Sequence, residues 1–194
     1  MSTKSLILSV LVAAVLIGGG VFLKNKDVAK SDSSSELASA IYRLESGDIN
    51  KKYNFTVALG DQGSEHTHIS VMFFIKGNQV NFAEQKYMLQ DSRMHFENND
   101  GVTIHKHATG VNLPVFFASL DIRINQDCFM LDITKEYCGD GENKLTFIVN
   151  GQESEDVYRE LQDGDKILIN YGSDSQDNLQ KKFNAIPDPK PSSR

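Results

Sequence analysis

The hydrophobic pattern divides the chain into an apolar N-terminal run, a polar segment, a domain of alternating residues and a polar end. Residues 6–23 are uncharged and mostly apolar, and eighteen helical residues reach about 27 Å, close to the hydrocarbon thickness of a bilayer. This run predicts a transmembrane anchor that follows a short cytoplasmic N-terminus, residues 1–5. A cleaved signal peptide and a buried core helix are the alternatives, and the glycines at 18–20 weaken the helix and leave cleavage possible.

The orientation of this anchor rests on opposing arguments. More lysines follow the run than precede it, which by the positive-inside rule favours a cytoplasmic domain. The N-terminal position of the anchor and the two cysteines favour the outer side, and we give these more weight. Residues 24–51 are interpreted as a linker with a short amphipathic helix over 37–46, and residues 173–194 as a disordered tail.

Between the linker and the tail, alternating residues and turn signals predict a mainly antiparallel β domain. The predicted strands are residues 53–59, 66–75, 79–82, 92–97, 103–108, 128–131, 136–138, 145–149 and 166–171. Asn98-Asn99-Asp100-Gly101 is the predicted hairpin connection between residues 92–97 and 103–108, because Asp-Gly is a strong hairpin signal. One helix is predicted after Asn112, which can cap it, with Pro114 in the first turn and apolar residues at helical spacing from Leu113.

The order of these elements predicts an α+β fold. Residues 52–92 form an N-terminal β unit, and residues 93–172 form a β-grasp (ubiquitin-like) unit, because a hairpin, a crossing helix and further strands fit that arrangement. The chain carries a net charge of −6 and lacks a basic patch with interleaved aromatics. Nucleic acid is therefore not expected as a partner.

Cys128 and Cys138 flank a predicted β-hairpin. A cross-strand disulfide would close a loop of about ten residues and stabilise the domain by roughly 2–3 kcal/mol. A redox-active pair is the alternative, although such pairs place Cys-x-x-Cys at the start of a helix. Free thiols and metal ligation also stay open. Disulfides persist mainly outside the cytosol, so this pair favours an extracytoplasmic domain.

The candidate metal ligands are the five histidines: His66, His68, His95, His105 and His107. Four of them form His-x-His pairs, and residues i and i+2 of a strand share a face, so each pair can present two imidazoles together. Imidazole suits zinc and copper, and nearby Met72, Met94 and Glu97 could add a soft or a hard ligand. Solvated histidines and a pH sensor are the alternatives.

Two stretches carry resemblances to known proteins. Residues 145–151 followed by 163–167 resemble small exported β-grasp modules related to the C-terminal domain of cobalamin carriers. A longer set of residues is His66-Thr67-His68, His95-Phe96-Glu97, residues 100–111, Phe116-Phe117, Cys128 and Cys138. This set resembles a family of membrane-anchored archaeal extracytoplasmic proteins. Members are often labelled protein-disulfide isomerase, which implies an extracytoplasmic domain and thiol–disulfide chemistry.

Three functions are compatible with these features. The first is a non-enzymatic, membrane-tethered extracytoplasmic binding module that holds copper or zinc through its histidines. The second is an adaptor domain that recognises a protein or a small ligand without metal. The third is a thiol–disulfide oxidoreductase. The first is placed ahead of the others, and a non-enzymatic role is favoured because the chain has no His-Glu-x-x-His motif, Gly-rich phosphate loop or nucleophile elbow.

Overall fold

The computed structural model describes residues 58–132 and 134–189, which lie within one compact unit, residues 42–194. The strands are β1 Thr67–Ile75, β2 Asn78–Gln79, β3 Met94–Glu97, β4 Asp100–Lys106, β5 Arg123–Ile124, β6 Cys128–Asp132, β7 Lys135–Cys138, β8 Lys144–Val149, β9 Gln152–Glu153 and β10 Lys166–Gly172. The helices are α1 Leu113–Ser119 and α2 Gln176–Asn184, with a 3-10 turn at Gln85–Tyr87.

The predicted anchor, residues 6–23, and the predicted linker, residues 24–51, lie outside the described residues. The predicted strand 53–59 falls outside them as well, apart from its last two residues. Within the part of the chain that the structure describes, no helix is long and apolar enough to cross a membrane.

The main sheet has the strand order β3-β4-β1-β10-β8-β9, and β2 pairs with β1. β1 and β10 run parallel at the centre, whereas the other pairs of this sheet are antiparallel. β1 comes from the first predicted unit and β10 from the second, so the two units contribute to one sheet. A second sheet has the order β5-β6-β7. The mixed α/β fold with mainly antiparallel sheets confirms the coarse fold class.

The main core lies between α1 and one face of the main sheet. Alternation along β1 turns Ile69, Val71 and Phe73 to this face, and all three are fully buried. The Asn112 side chain accepts a hydrogen bond from the Val115 N–H, which confirms the predicted N-cap. Each aromatic side chain buried in such a core contributes roughly 1.5–3 kcal/mol to the stability of the fold. The core therefore gives a rigid support to the residues on the opposite face of the sheet.

The other face of the sheet, called here the outer face, is packed against α2 at one end. Leu179 and Ile186 from the helix segment are buried with Ile148 and Leu168 of the sheet. The prediction of a disordered tail is therefore wrong for residues 173–189. Leu179, Phe183 and Ile186 recur at i, i+4 and i+7, and this narrow apolar stripe within a polar segment is enough to dock one short helix.

The turn between β3 and β4 is shorter than the four-residue connection predicted over residues 98–101. Asn98 and Asn99 form it, with φ of 55° and 56°, and asparagine is among the residues that tolerate this left-handed region. Gly101 lies inside β4 instead. A Cβ at Gly101 would come within 2.3 Å of backbone atoms of Phe82 and Ala83, so glycine here permits a close approach of two chain segments.

Candidate metal centre

Strand register brings the histidines of three neighbouring strands together on the outer face. β4 lies between β1 and β3, and His105 is paired with His68 on one side and with His95 on the other. These three imidazoles therefore form a row across the sheet. His107 directly follows the last residue of β4, and its ring centroid lies 4.9 Å from that of His66, which directly precedes β1. Residues separated by two positions share a face, as the His-x-His spacing predicted.

The five imidazole rings form a closed circuit, called here the histidine cluster. Their centroids are separated by 5.1 Å for 66–68, 4.5 Å for 68–105, 5.9 Å for 105–95, 5.1 Å for 95–107 and 4.9 Å for 107–66. The structure thus brings together every histidine named from the sequence. Each pair of neighbouring rings in the circuit is close enough to bind the same metal ion.

Three members of the cluster come close to the geometry of a metal site. His66, His105 and His107 each offer one ring nitrogen, and the three atoms lie within 4.8 Å of one another. Two nitrogens bound to one tetrahedral zinc ion stand roughly 3.4 Å apart, given Zn–N bonds of about 2.0–2.1 Å. The three ring nitrogens would therefore have to move closer together to bind one ion. Since His66 is exposed, an ion held here would be reached directly from solvent.

The electrostatic setting keeps two of these ligands in the form that metal binding needs. Burial lowers the pKa of His105 and of His107, and neighbouring imidazoles lower both further. Glu97 opposes this effect at both rings. The net lowering favours neutral imidazole, which is the state that binds a cation.

His95 and Glu97 complete the polar contacts of the cluster. The Nδ1 atom of His95 lies 2.9 Å from the carbonyl oxygen of Asp91, which can only accept, so Nδ1 carries a proton and donates. This bond turns Nε2 of neutral His95 towards Glu97 as an unprotonated atom. Glu97 Oε2 lies 3.6 Å from that Nε2, and Glu97 Oε1 lies 3.5 Å from Nε2 of His105.

The other two proposed extra ligands lie elsewhere. Met94 is next to His95 on β3, so alternation turns its side chain into the main core, where it is buried. Met72 packs with the apolar residues beside α2. Of the three neighbours named from the sequence, Glu97 is the one beside the imidazoles, and the donor set is therefore nitrogen and oxygen.

Cys128 and Cys138 form a disulfide, which confirms the predicted bond. The two residues are directly opposite each other in the β6–β7 pair, with Cα atoms 4.2 Å apart. Glu136 stands close enough to join them as a third metal ligand. However, the two sulfurs are bonded to each other, so neither is a thiolate available to a metal.

Sequence reasoning missed Lys106, which lies between His105 and His107 in β4. Its side chain is fully buried on the core side, where Nζ donates to Glu65, Glu160 and the carbonyl oxygen of Leu161. The sequence did contain a signal for this residue, because alternation along the strand places Lys106 at a core-facing position, where a charged side chain needs buried partners. These bonds tie the histidine-bearing end of β4 to two other chain segments, and so they hold the backbone of the cluster in place.

Comparison of the chain with protein families, with curated proteins and with solved structures found no match.

Proposed function

We propose that this chain is a membrane-tethered, extracytoplasmic binding module that holds zinc or copper through its histidine cluster. The observation that carries the proposal is the convergence of three ring nitrogens, from His66, His105 and His107, within 4.8 Å. His105 lies in β4, whereas His66 directly precedes β1 and His107 directly follows β4. A packed core backs both strands, and the bonds of Lys106 anchor this end of β4, so the backbone that carries the ligands has a rigid support.

The donor set indicates which ions fit. Imidazole nitrogens with a neighbouring carboxylate suit Zn(II) or Cu(II). The thioethers of Met72 and Met94, which would favour Cu(I), are directed into apolar clusters. Zn(II) is therefore the first ion to test, and Cu(II) the second.

Calorimetric titration of the full chain with Zn(II) after chelator treatment tests the proposal. Replacing exposed His66 by alanine should weaken binding by more than the roughly 10- to 100-fold that loss of an outer-shell partner costs. His107→Ala should act in the same way. Gln79→Ala is the matched control, because Gln79 is exposed in the same sheet and lies in β2, outside the histidine strands. Absence of Zn(II) and Cu(II) binding by the unaltered chain would overturn the proposal.

The fold proposed for the domain is a β-grasp that begins at β1 rather than at residue 93. Its support is the order β4-β1-β10-β8-β9 with β1 and β10 parallel, and the position of α1 between the β4 and β8 segments of the chain. In this interpretation β2, β3 and the β5-β6-β7 sheet are insertions. The histidine cluster then lies on the first hairpin of the β-grasp and on an inserted edge strand.

The proposed location is the outer side of a membrane. The apolar run at residues 6–23 supports attachment, and the Cys128–Cys138 bond supports an oxidising compartment. Fractionation of cells that express the full chain should find it in a membrane pellet that resists high salt. External protease should then cleave the domain in intact cells. A salt-extractable chain, or one protected from external protease, would contradict this location.

A further inference from the structure

The pair His95 and Glu97 is not used by the three-histidine site, and its geometry is unusual for a histidine–carboxylate contact. The Nε2–Oε2 distance of 3.6 Å is longer than an N–H···O hydrogen bond, which spans about 2.7–3.2 Å. The second contact of this carboxylate, with Nε2 of His105, is 3.5 Å and equally long. Each oxygen of Glu97 therefore faces one imidazole nitrogen across a gap.

These gaps match the spacing of two ligands on one metal ion. A nitrogen and an oxygen that each lie about 2.0–2.1 Å from a tetrahedral zinc ion stand roughly 3.4 Å apart. The measured separations of 3.5 Å and 3.6 Å are close to that value. The hydrogen bond from His95 Nδ1 to the carbonyl of Asp91 is the outer-shell contact commonly found behind a metal-binding imidazole, and it leaves Nε2 facing the gap.

We infer that the histidine cluster holds two metal ions bridged by the carboxylate of Glu97. This inference rests on the proposed function, because the first ion is the one bound by His66, His105 and His107. The second ion lies between Nε2 of His95 and Oε2 of Glu97, and Oε1 faces His105 of the first site. Carboxylate-bridged pairs of this kind hold ions about 3.5–4 Å apart.

The two positions differ in their ligands and so in their expected properties. The first has three imidazole donors, whereas the second has one imidazole and one carboxylate oxygen, with its remaining coordination positions left to water. A carboxylate favours harder cations such as Mn(II). The second position should therefore bind Zn(II) more weakly than the first and accept Mn(II) more readily.

Counting bound Zn(II) in the chelator-treated full chain tests the inference, by calorimetry and by elemental analysis after dialysis. Two ions per chain are expected, falling to one in Glu97→Gln and to one in His95→Gln. Glu142→Gln is the matched control, since Glu142 is exposed and lies on the loop before β8, and it should keep two ions. Circular dichroism identifies any variant that fails to fold.

The possible counts separate this inference from the proposed function. No ion bound by the unaltered chain overturns both. One ion, unchanged in Glu97→Gln, overturns the bridged pair alone. Two ions in both the unaltered chain and Glu97→Gln would place the second ion elsewhere and also overturn it. With Cu(II), the bridged pair should give an electron paramagnetic resonance signal of two coupled ions, which Glu97→Gln should convert to that of isolated ions.

Discussion

The two ends of the outer face of the main sheet share β1 but have opposite chemistry. At one end Met72, Phe74, Ile148 and Leu168 are apolar and pack with α2. At the other end β1, β4 and β3 carry imidazoles that contact one another. Alternation alone assigns both sets to one face. The difference lies in what covers each end. Burial against a helix is favourable for apolar side chains, whereas clustered imidazole nitrogens would lose their hydration there without gaining comparable packing.

The largest expected effect is at the helix-covered end. Leu179→Ala should lower the free energy of unfolding by about 2–4 kcal/mol, because it leaves a cavity between α2 and the sheet. Lys181→Ala, an exposed substitution in the same helix, should change it by less than about 0.5 kcal/mol. Urea unfolding measures both, and equal effects of the two variants would contradict the docking of α2.

The disulfide-bonded hairpin lies in the second sheet, away from both ends of the outer face, so its removal should affect stability independently of the histidine cluster and of α2. Replacing Cys128 and Cys138 by serine should lower the free energy of unfolding by roughly 2–3 kcal/mol through the loss of a loop constraint. At a temperature at which the double variant is folded, the number of bound Zn(II) ions should not change, because neither sulfur belongs to the histidine cluster. A loss of metal binding in a folded double variant would disprove this independence.

The two ends should also lose stability in different pH ranges when chelator keeps the chain free of metal. Because the pKa values of His105 and His107 are lowered on folding, the unfolded chain takes up their protons first as the pH falls through about 6.5, and stability declines from there. The pKa of Asp174 is lowered by the hydrogen bond from Lys182, so its contribution is present above about 3.9 and is lost only below that pH.

Asp174→Asn and a His105→Gln, His107→Gln double variant separate the two ranges. Relative to the unaltered chain, the first should flatten the decline in stability below about pH 4, and the second the decline below about pH 6.5. Chemical denaturation at a series of pH values measures both. A histidine variant with an unchanged pH profile would mean that these rings titrate alike in the folded and unfolded chain.

The smallest expected effect is at the exposed edge of the histidine cluster. Without metal, His66→Ala should change the free energy of unfolding by less than about 0.5 kcal/mol, because the side chain is exposed. With Zn(II) present, the unaltered chain should gain stability that the variant does not gain. Thermal unfolding with and without Zn(II) measures the difference, and an equal gain in both would exclude His66 as a ligand.

Local patterns predicted the elements well where the signal lay within a few residues. The alternation of β1, the Asn112 cap of α1 and the pairing of β6 with β7 through the two cysteines are examples. The parallel pairing of β1 with β10 could not be predicted in this way, because it joins distant segments. The apolar stripe of α2 was present at Leu179, Phe183 and Ile186, but the polar residues around it concealed the helix.

The histidine cluster was predictable in parts. Each His-x-His pair was expected to share a face, and both do. Which pairs would face each other depended on the register that sets His68 opposite His105 and His105 opposite His95. Hydrophobic patterning fixes which face a strand presents, but not the position at which it slides along its neighbour. Glu97 was named from the sequence as a possible ligand together with Met72 and Met94, and only the structure separates it from those two and places the carbonyl of Asp91 behind His95.

The parallel β1–β10 pair determines when the domain can finish folding during its synthesis. Ser70 lies opposite Lys166, so this pair closes a loop of about a hundred residues, whereas β1, β3 and β4 are all made before residue 107. At about 5–20 residues per second, β10 is made roughly 3–12 s after β4. The histidine-bearing strands can therefore assemble first. During that interval the edge of β1 that later pairs with β10 has unpaired backbone N–H and C=O groups. Another strand could pair with this edge incorrectly until β10 has been synthesised.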